Sequence, residues 1–358
     1  MSDLNNRRPA RRDVLMAAAA VTGGLLTDPL SVSASRFFES QKTPQEEAWQ
    51  RATDSGLTWL AGQQTRLGHW AHDIYPTAMT ALAGTAMVCS GSTATQGPFA
   101  ENIRKAVDYL ITKCRPNGLI GDPIRDNRYT YGHGFSMLFL SQVLGEEEDA
   151  ERRDELTEIL QRSVDFSIRA QTRSGGWGYV SATENSSFDE GSTTITQVQG
   201  LRACRNAGIV VSKEVIEKAR QYIYDCKNAD GGISYSSRTK GTSRHAITAA
   251  ALSALYNAGD YESEHIEPMW QFCKKHLHDL ATGSRYGHWH YTYLYYAQVV
   301  YRKSDELWQP FRDQLYTKIA RDQQTEGSWT GNIAKVYVTA CNLIILQLDK
   351  GFLPIYQR

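Results

Sequence analysis

The sequence predicts an all-α domain, an α6–α6 toroid in which six outer helices surround six inner ones. Three observations lead to this fold. A Gln-x3-Gly-x-Trp pattern occurs three times, as QTRLGHW, QTRSGGW and QQTEGSW, beginning at Gln64, Gln171 and Gln323. Two further segments, LRACRNAG and LSALYNAG, align with each other without gaps. Helices of two kinds also alternate along the chain, which is typical of a repeat architecture.

The helices form six pairs. The first helix of each pair is amphipathic and is predicted at about 45–63, 99–114, 150–171, 212–227, 262–278 and 305–323. The second is apolar or small on nearly every side and is predicted at about 75–90, 131–144, 192–207, 243–258, 288–302 and 335–348. Because helices that are apolar all round are buried, the second set forms the inner layer. An open solenoid is the alternative, and closure is favoured because it leaves no apolar end exposed.

Local signals support individual elements. In the fourth amphipathic helix, Val215, Ala219 and Ile223 fall on one face, and Ser212 is a candidate N-cap. The inner helices carry small residues between larger apolar ones, as in TALAGTAMV and HAITAAALSAL. We therefore expect close packing between neighbouring inner helices.

The N-terminus differs from the rest of the chain. Arg11-Arg12 precedes an apolar run ending near Leu26, and Val32-Ser33-Ala34 offers a small-residue cleavage site. This pattern resembles a twin-arginine export signal, although Ala10 and Val14 replace the usual residues. We expect a signal peptide at residues 1–34, a single toroid domain at 35–358 and a periplasmic location. A basic tail with an apolar patch is the alternative.

Composition excludes some function classes. Basic and acidic residues each total 39 in 358 residues, so no bulk charge favours nucleic acid. After residue 34 no segment approaches the roughly 20 apolar residues of a membrane span, and peripheral membrane contact stays open. The six cysteines show no CxxC spacing, and most are interpreted as small buried hydrophobic residues.

The three Gln-x3-Gly-x-Trp turns resemble the QW motifs of squalene cyclases, whose superfamily includes the β subunits of protein prenyltransferases. The resemblance covers residues 45–358 and implies the same toroid fold. Degenerate copies occur at 114–120 and 227–233, and the fifth repeat keeps only Gly287 and Trp289. The C-terminal VYVTACNLIILQ and FLPIYQR segments are also similar to exported bacterial proteins with prenyltransferase or squalene-oxidase repeats. Because the turns repeat around the ring, we expect them to be structural joints.

Candidate site residues lie where the inner helices begin, because those ends converge on the mouth of a central cavity. The candidates for acid/base chemistry are Asp189, Glu190, His133, His245 and His290. The candidates for the cavity wall are Asp73, Tyr75, Tyr131, Arg244, His288, Tyr291, Tyr293 and Tyr337. The inner helices below are expected to be apolar. Helix capping by Asp189, and packing of the tyrosines with wet hydroxyls, are the alternatives.

The resemblance gives an incomplete catalytic motif. Squalene cyclases protonate an alkene with an Asp-x-Asp-Asp motif at the start of an inner helix. The matching start here is Asp189-Glu190-Gly191-Ser192, which keeps the first aspartate and replaces the second and third. An alkene needs a protonated acid, whereas a helix N-terminus favours the anion.

The metal sites implied by the resemblance are missing. The prenyltransferase β subunits hold zinc with Asp, Cys and His near the inner-helix starts, where this sequence has no cysteine. No Asp-Asp-x-x-Asp occurs either, so we expect no metal and no cofactor. A diphosphate could still be met by His133, Arg244, Lys335 and the converging helix N-termini.

These observations predict an exported, terpenoid-cyclase-like or prenyltransferase-like toroid that binds an isoprenoid or similar apolar ligand. Acid/base transformation of that ligand is a hypothesis, and whether the protein is an enzyme is left open. One alternative is a non-catalytic toroid that binds a lipid or a partner protein. A less favoured one is a polysaccharide-active enzyme with Asp73 and Asp189 as its acids.

Overall fold

The computed structural model describes residues 42–70, 74–184 and 188–357. Its helices in chain order are α1 (Pro44–Gly62), α2 (Pro76–Val88), α3 (Ala100–Thr112), α4 (Tyr129–Leu144), α5 (Ala150–Ala170), α6 (Gly191–Asn206), α7 (Lys213–Asp225), α8 (His245–Asn257), α9 (Ile266–Leu277), α10 (Leu280–Gly283), α11 (Trp289–Lys303), α12 (Asp305–Arg321) and α13 (Lys335–Leu346). All twelve predicted helices are present. The short α10 is additional. The predicted signal peptide lies outside the described residues.

The ring is closed, as predicted. The inner helices contact one another in the order α2, α4, α6, α8, α11 and α13, and α13 packs back against α2. In the outer layer α12 likewise contacts α1. Every residue of α2 and every residue of α13 after Lys335 is buried, in agreement with the expected inner layer.

The Gln of each repeated turn binds the next unit. The Gln171 Nε2 donates to the Gly175 carbonyl of its own turn at 2.8 Å and to the Val215 carbonyl of α7 at 3.0 Å. Gln64 does the same with Gly68 and Asn102 of α3. Gln323 donates to the Ala52 carbonyl of α1 at 2.8 Å, so the third joint closes the ring.

The Gly of each turn lets the next outer helix approach. Gly175 has φ +93°, and a Cβ there would lie 2.3 Å from the Lys218 carbonyl oxygen of α7. Gly68 and Gly327 have the same conformation against α3 and α1. Only glycine fits a positive φ and so close a backbone neighbour.

The Trp of each turn connects the two helices of its own unit. The Trp177 Nε1 donates to the Ser167 carbonyl of α5, and its backbone N–H donates to the Thr194 hydroxyl of α6. Trp70 and Trp329 make the equivalent pairs of bonds. The indole is fully buried in each case. The geometry therefore agrees with a structural role for these turns.

The opposite end of the ring is covered by the C-terminal segment. A 3-10 helix at Pro354–Tyr356 packs against α6. Arg302, in the last turn of α11, donates to the Asn257 side chain and to the Ile355 carbonyl. The mouth of the ring therefore lies at the N-terminal ends of the inner helices. In the described part of the chain no helix has the length and apolarity of a membrane span.

Candidate ligand-binding site at the mouth of the ring

Glu190 is the N-cap of α6, at the end of the ring that forms the mouth. Its Oε1 accepts the Thr193 amide at 2.6 Å, and its Oε2 accepts the Ser192 amide at 2.9 Å. Its side chain is buried. Capping by a carboxylate supplies two of the acceptors that a helix N-terminus needs and places negative charge at the positive end of the helix dipole.

Tyr131 of α4 reaches the same carboxylate. Its hydroxyl lies 3.2 Å from the Glu190 Oε1 and also bonds to the Ser192 hydroxyl, which in turn donates to Glu190. Burial, with the Glu190 charge adding to it, raises the pKa of Tyr131. Tyr131 and Ser192 both keep part of their surface accessible. The cluster therefore joins α4 and α6 while remaining open towards the mouth.

Two tyrosines from loops complete this side. The Tyr179 ring lies 5.9 Å from the Tyr131 ring, and the Tyr179 and Tyr235 hydroxyls bond to each other. The loops are fixed by main-chain bonds, since Thr130 donates to the Tyr179 carbonyl and Gly191 to the Tyr235 carbonyl. Neither tyrosine is among the residues predicted from the sequence. Each follows the apolar residue of its turn by two positions, in WGY and ISY, and that shared register was the available signal.

The facing wall is formed by α11 and α13. Tyr291, Tyr295 and Tyr337 come together there, and the Tyr291 and Tyr295 rings lie 4.8 Å apart. Burial raises the pKa of all three hydroxyls, and the charge of Glu190 adds to the effect at Tyr291. Among the described residues both the Tyr291 and the Tyr295 hydroxyl are buried without a well-formed hydrogen bond, although Tyr291 lies close enough to offset part of the rise in the Tyr295 pKa. Buried polar groups are normally paired, so these two hydroxyls are available to a ligand.

The interior below the mouth is partly polar, which corrects the expectation of an apolar inner wall. The Gln298 Oε1 of α11 accepts from Gln199 of α6 and from Ser253 of α8, each at 3.1 Å. All three side chains are buried. Tyr291, Tyr295 and Gln298 follow each other at helical spacing on one face of α11. The amide bridge therefore lies about two turns below the rim, roughly 10 Å down.

Asp189 is held apart from the cluster. Its carboxylate accepts from Thr172 at 2.9 Å and from Ser236 at 3.3 Å, and it is 1% exposed. It also lies close enough to Tyr222 of α7 to raise the pKa of that phenol, after burial. These partners belong to the turns and the outer layer, so the structure gives Asp189 a role in fixing the two loops.

His133 occupies the joint between units. The Ile120 amide donates to its Nδ1 at 3.0 Å, and its Nε2 bonds to the Ser163 carbonyl of α5 at 3.1 Å. Four other units place a threonine hydroxyl at this point; those residues are Thr80, Thr194, Thr248 and Thr339. Burial lowers the pKa of His133 to about 4. The structure thus turns this candidate away from the mouth.

The other two histidine candidates also contact groups other than Glu190. His245 stacks on Tyr286 at 3.5 Å and lies 4.9 Å from His276 of α9, and burial lowers its pKa to about 4. The His290 Nδ1 lies 3.0 Å from the Asn342 Oδ1 of α13, and its ring packs against Gly331. None of the three histidines contacts Glu190.

The remaining candidate residues lie at separate places around the mouth. The Tyr293 hydroxyl donates to the Leu277 carbonyl of α9, so this ring faces outwards. Tyr75 and His288 precede α2 and α11 with φ of 63° and 60°, and the Tyr75 hydroxyl bonds to Asn127. Arg244 is exposed at the start of α8. Asp73 lies outside the described residues.

A further buried acid, Asp126, lies beside the rim. Its Oδ2 accepts from Thr77 of α2 at 2.7 Å, and its Oδ1 has no partner among the described residues. Burial raises its pKa. Its charge also adds to the effect of burial in raising the pKa of Tyr109, on the outer helix α3, to about 12. Asp126 therefore lies between the layers, away from the Glu190 cluster.

The part of the mouth that the structure describes contains no metal site. Within the described ranges no group of three or more His, Cys, Asp or Glu residues is placed to hold a metal. All six cysteines are free, and five are buried, as the sequence indicated for most of them. That the site holds neither zinc nor a cofactor stays a prediction.

A surface groove of about 640 Å³ lies elsewhere, at the seam between α1, α10 and α12. Its charged side chains are already engaged, since Lys318 and Arg321 pair with Asp322 and Asp313 pairs with Arg312. The mouth is therefore the better candidate, because its polar atoms include unpaired ones.

Comparison with solved structures agrees with this fold. Type II terpene cyclase MstE from Scytonema, solved without ligand, matches with a TM-score of 0.59 and 14% identity over 87% of this chain and 100% of that chain. An MstE variant in complex with its substrate geranylgeranyl dihydroxybenzoate matches with a TM-score of 0.57 and 14% identity over 87% and 99% of the two chains. An inactive α-1,6-mannanase variant from Salegentibacter with α-1,6-mannotriose matches with a TM-score of 0.58 and 7% identity over 86% and 99%.

These likenesses confirm the toroid fold that the squalene-cyclase resemblance implied. At such identities they concern the fold alone. No family model and no curated protein matches the sequence.

Proposed function

We propose that this toroid binds an isoprenoid or similarly apolar small molecule at its mouth, with the polar end of the ligand against the tyrosine–glutamate cluster. The observation that carries the proposal is the unpaired, buried hydroxyl of Tyr291 beside the partly accessible Tyr131–Glu190 pair. A concave aromatic site with a few convergent polar groups is the usual form of a small-molecule site. The terpene cyclase with this fold acts on an isoprenoid substrate, which supports the ligand class.

Cyclisation started by alkene protonation is not part of the proposal. Both oxygens of Glu190 accept hydrogen bonds, so neither is free to present a proton to a ligand. Gly191 takes the place of the second acid of the cyclase motif. A Cβ at Gly191 would lie 2.4 Å from the Ile247 Cγ2, so a carboxylate does not fit there without displacing α8. Binding is therefore the function that the geometry supports best.

The polysaccharide-active alternative loses its main support. It relied on Asp73 and Asp189 as paired acids, and Asp189 is buried among Thr172 and Ser236. The likeness to the mannanase concerns the fold, which hosts unrelated chemistries.

Export remains part of the proposal and rests on Arg11-Arg12 and the apolar run that follows. Replacing both arginines by lysine is expected to retain the protein inside the cell, measured by fractionation. Unchanged export of this variant would remove the twin-arginine assignment.

The binding proposal is tested by titrating the protein with geranylgeraniol in a calorimeter. We expect Tyr291→Phe to weaken binding about fivefold, because one hydrogen bond contributes about 1 kcal/mol. Tyr293→Phe is the matched control, since this tyrosine is on the same helix but bonds to the outer layer. Equal weakening by both variants, or absence of binding to apolar alcohols and acids of any chain length, would contradict the proposal.

A further inference from the structure

The mouth contains a buried carboxylate without a cationic partner. Glu190 accepts only from amides and hydroxyls, and in the described part of the chain no Lys, Arg or His nitrogen forms an ion pair with it. It is fully buried, so water screens its charge poorly. Its negative potential is therefore directed into the mouth.

Aromatic rings surround that charge on several sides. Tyr131 bonds to Glu190, and the charge of Glu190 contributes, after burial, to raising the pKa of both Tyr235 and Tyr291. Tyr179 lies between Tyr131 and Tyr235. The faces of aromatic rings carry partial negative charge and attract cations, and cages of aromatic rings are the usual recognition site for quaternary ammonium groups.

The basic groups near the mouth form no ion pair with Glu190 among the described residues. Arg128 is exposed and its guanidinium lies 4.2 Å over the Tyr179 ring, so a cation already occupies the outer face of the cluster. Lys335 pairs with Glu326 at 2.9 Å. His290 bonds to Asn342, and Arg244 is exposed at the start of α8. The inner face of the cluster thus lacks the donors that a diphosphate or carboxylate would need.

We propose that the ligand of this site carries a cationic head group, an amine or quaternary ammonium, which is held by the rings of Tyr131, Tyr179, Tyr235 and Tyr291 and attracted by the charge of the enclosed Glu190. This inference rests on the proposed binding function and specifies its ligand class. It replaces the expectation that a diphosphate would meet His133, Arg244 and Lys335.

The test compares three probes with one chain and different heads: geranylgeranyl trimethylammonium, geranylgeraniol and geranylgeranyl diphosphate. With the wild-type protein we expect the ammonium probe to bind about tenfold more tightly than the alcohol, and the diphosphate most weakly. Glu190→Gln is expected to bring the ratio of ammonium to alcohol affinity close to one. Glu326→Gln is the matched control, because this carboxylate is on the same rim but already paired, and should keep the wild-type ratio.

The outcomes separate the two proposals. If the alcohol binds as tightly as the ammonium probe, or the diphosphate binds best, the cationic head group is wrong while the apolar site stands. If no probe binds, the proposed function itself fails. Should Glu190→Gln not fold, Tyr235→Leu removes one ring without touching the helix cap. We expect it to lower the ratio about threefold, and an unchanged ratio would overturn the inference.

Discussion

At the scale of single residues, two tyrosines on α11 place their hydroxyls on different sides of the helix. Tyr291 faces the mouth with an unpaired hydroxyl, whereas Tyr293, two positions on, donates to the Leu277 carbonyl. An unpaired buried hydroxyl destabilises the fold, whereas a paired one stabilises it. The two phenylalanine variants should therefore change the free energy of unfolding in opposite directions. We expect Tyr291→Phe to raise the free energy of unfolding by about 1 kcal/mol and Tyr293→Phe to lower it by a similar amount, measured in urea.

If Tyr291→Phe is destabilising, its hydroxyl has a partner in the free protein, and the site is less available than proposed.

His133 sets a second residue-level prediction, which concerns pH. Its pKa is lowered by burial from 6.5 to about 4, because the charged ring would be desolvated, and this outweighs the bond to the Ser163 carbonyl. The unfolded chain therefore takes up the proton first as the pH falls. Above pH 6.5 the titration of His133 does not affect the free energy of unfolding. Between pH 6.5 and pH 4 it lowers that free energy progressively, by roughly 3 kcal/mol in all.

The measurement is the free energy of unfolding between pH 7 and 4.5 for wild type and His133→Gln, which keeps the volume and an acceptor oxygen. The variant should be less stable at pH 7 but should lose less on acidification. Parallel curves for the two proteins would show that His133 already takes up its proton in the fold.

Sequence reasoning located the rim but not the direction of each side chain. It placed Tyr131, Glu190 and Tyr291 at the starts of the inner helices, where the structure also has them, because those starts must converge in a ring. It could not tell them from His133 or Tyr293, because inner and outer faces begin within the same helical turn. In its own unit His133 takes the position that Thr80 and Thr194 take in theirs, and all three accept a backbone amide of the turn.

At the scale of elements, the turns determine how units join. Gly175→Ala would combine a positive φ with a Cβ 2.3 Å from the Lys218 carbonyl, whereas Gly208, at φ +89°, has no atom within 4 Å of an added Cβ. We expect Gly208→Ala to cost about 1 kcal/mol from the left-handed conformation alone. Gly175→Ala should cost roughly 3 kcal/mol or more, because α7 must also move.

Thermal unfolding of the two variants measures this difference. Similar midpoints would mean that the turn can move away from α7 without loss, and the joint would not be a close-packed contact.

Helix positions were predictable because an amphipathic and an all-apolar period alternate so clearly. The extra α10 was not, since a four-residue helix, here capped by Asp279, has no period to recognise. The polar bridge of Gln199 and Gln298 was also missed, because isolated glutamines in an apolar helix pattern do not reveal that they meet across the ring.

At the scale of the whole molecule, closure gives the two ends of the ring different properties. The Gln323 joint connects α12 with α1, and the segment at Pro354–Tyr356 covers the C-terminal end of the inner helices. The N-terminal end is left with Glu190, its tyrosines and two unpaired hydroxyls. The central claim is that ligands enter at this end and not at the groove between α1 and α12.

The most direct measurement is photolabelling with a geranylgeranyl alcohol that carries a diazirine, followed by mass spectrometry of the peptides. The account predicts labels on the segments that contain Tyr131, Tyr235 and Tyr291, which excess geranylgeraniol should suppress. Labels concentrated on the α1–α12 groove, around Trp49 and Thr317, would contradict it.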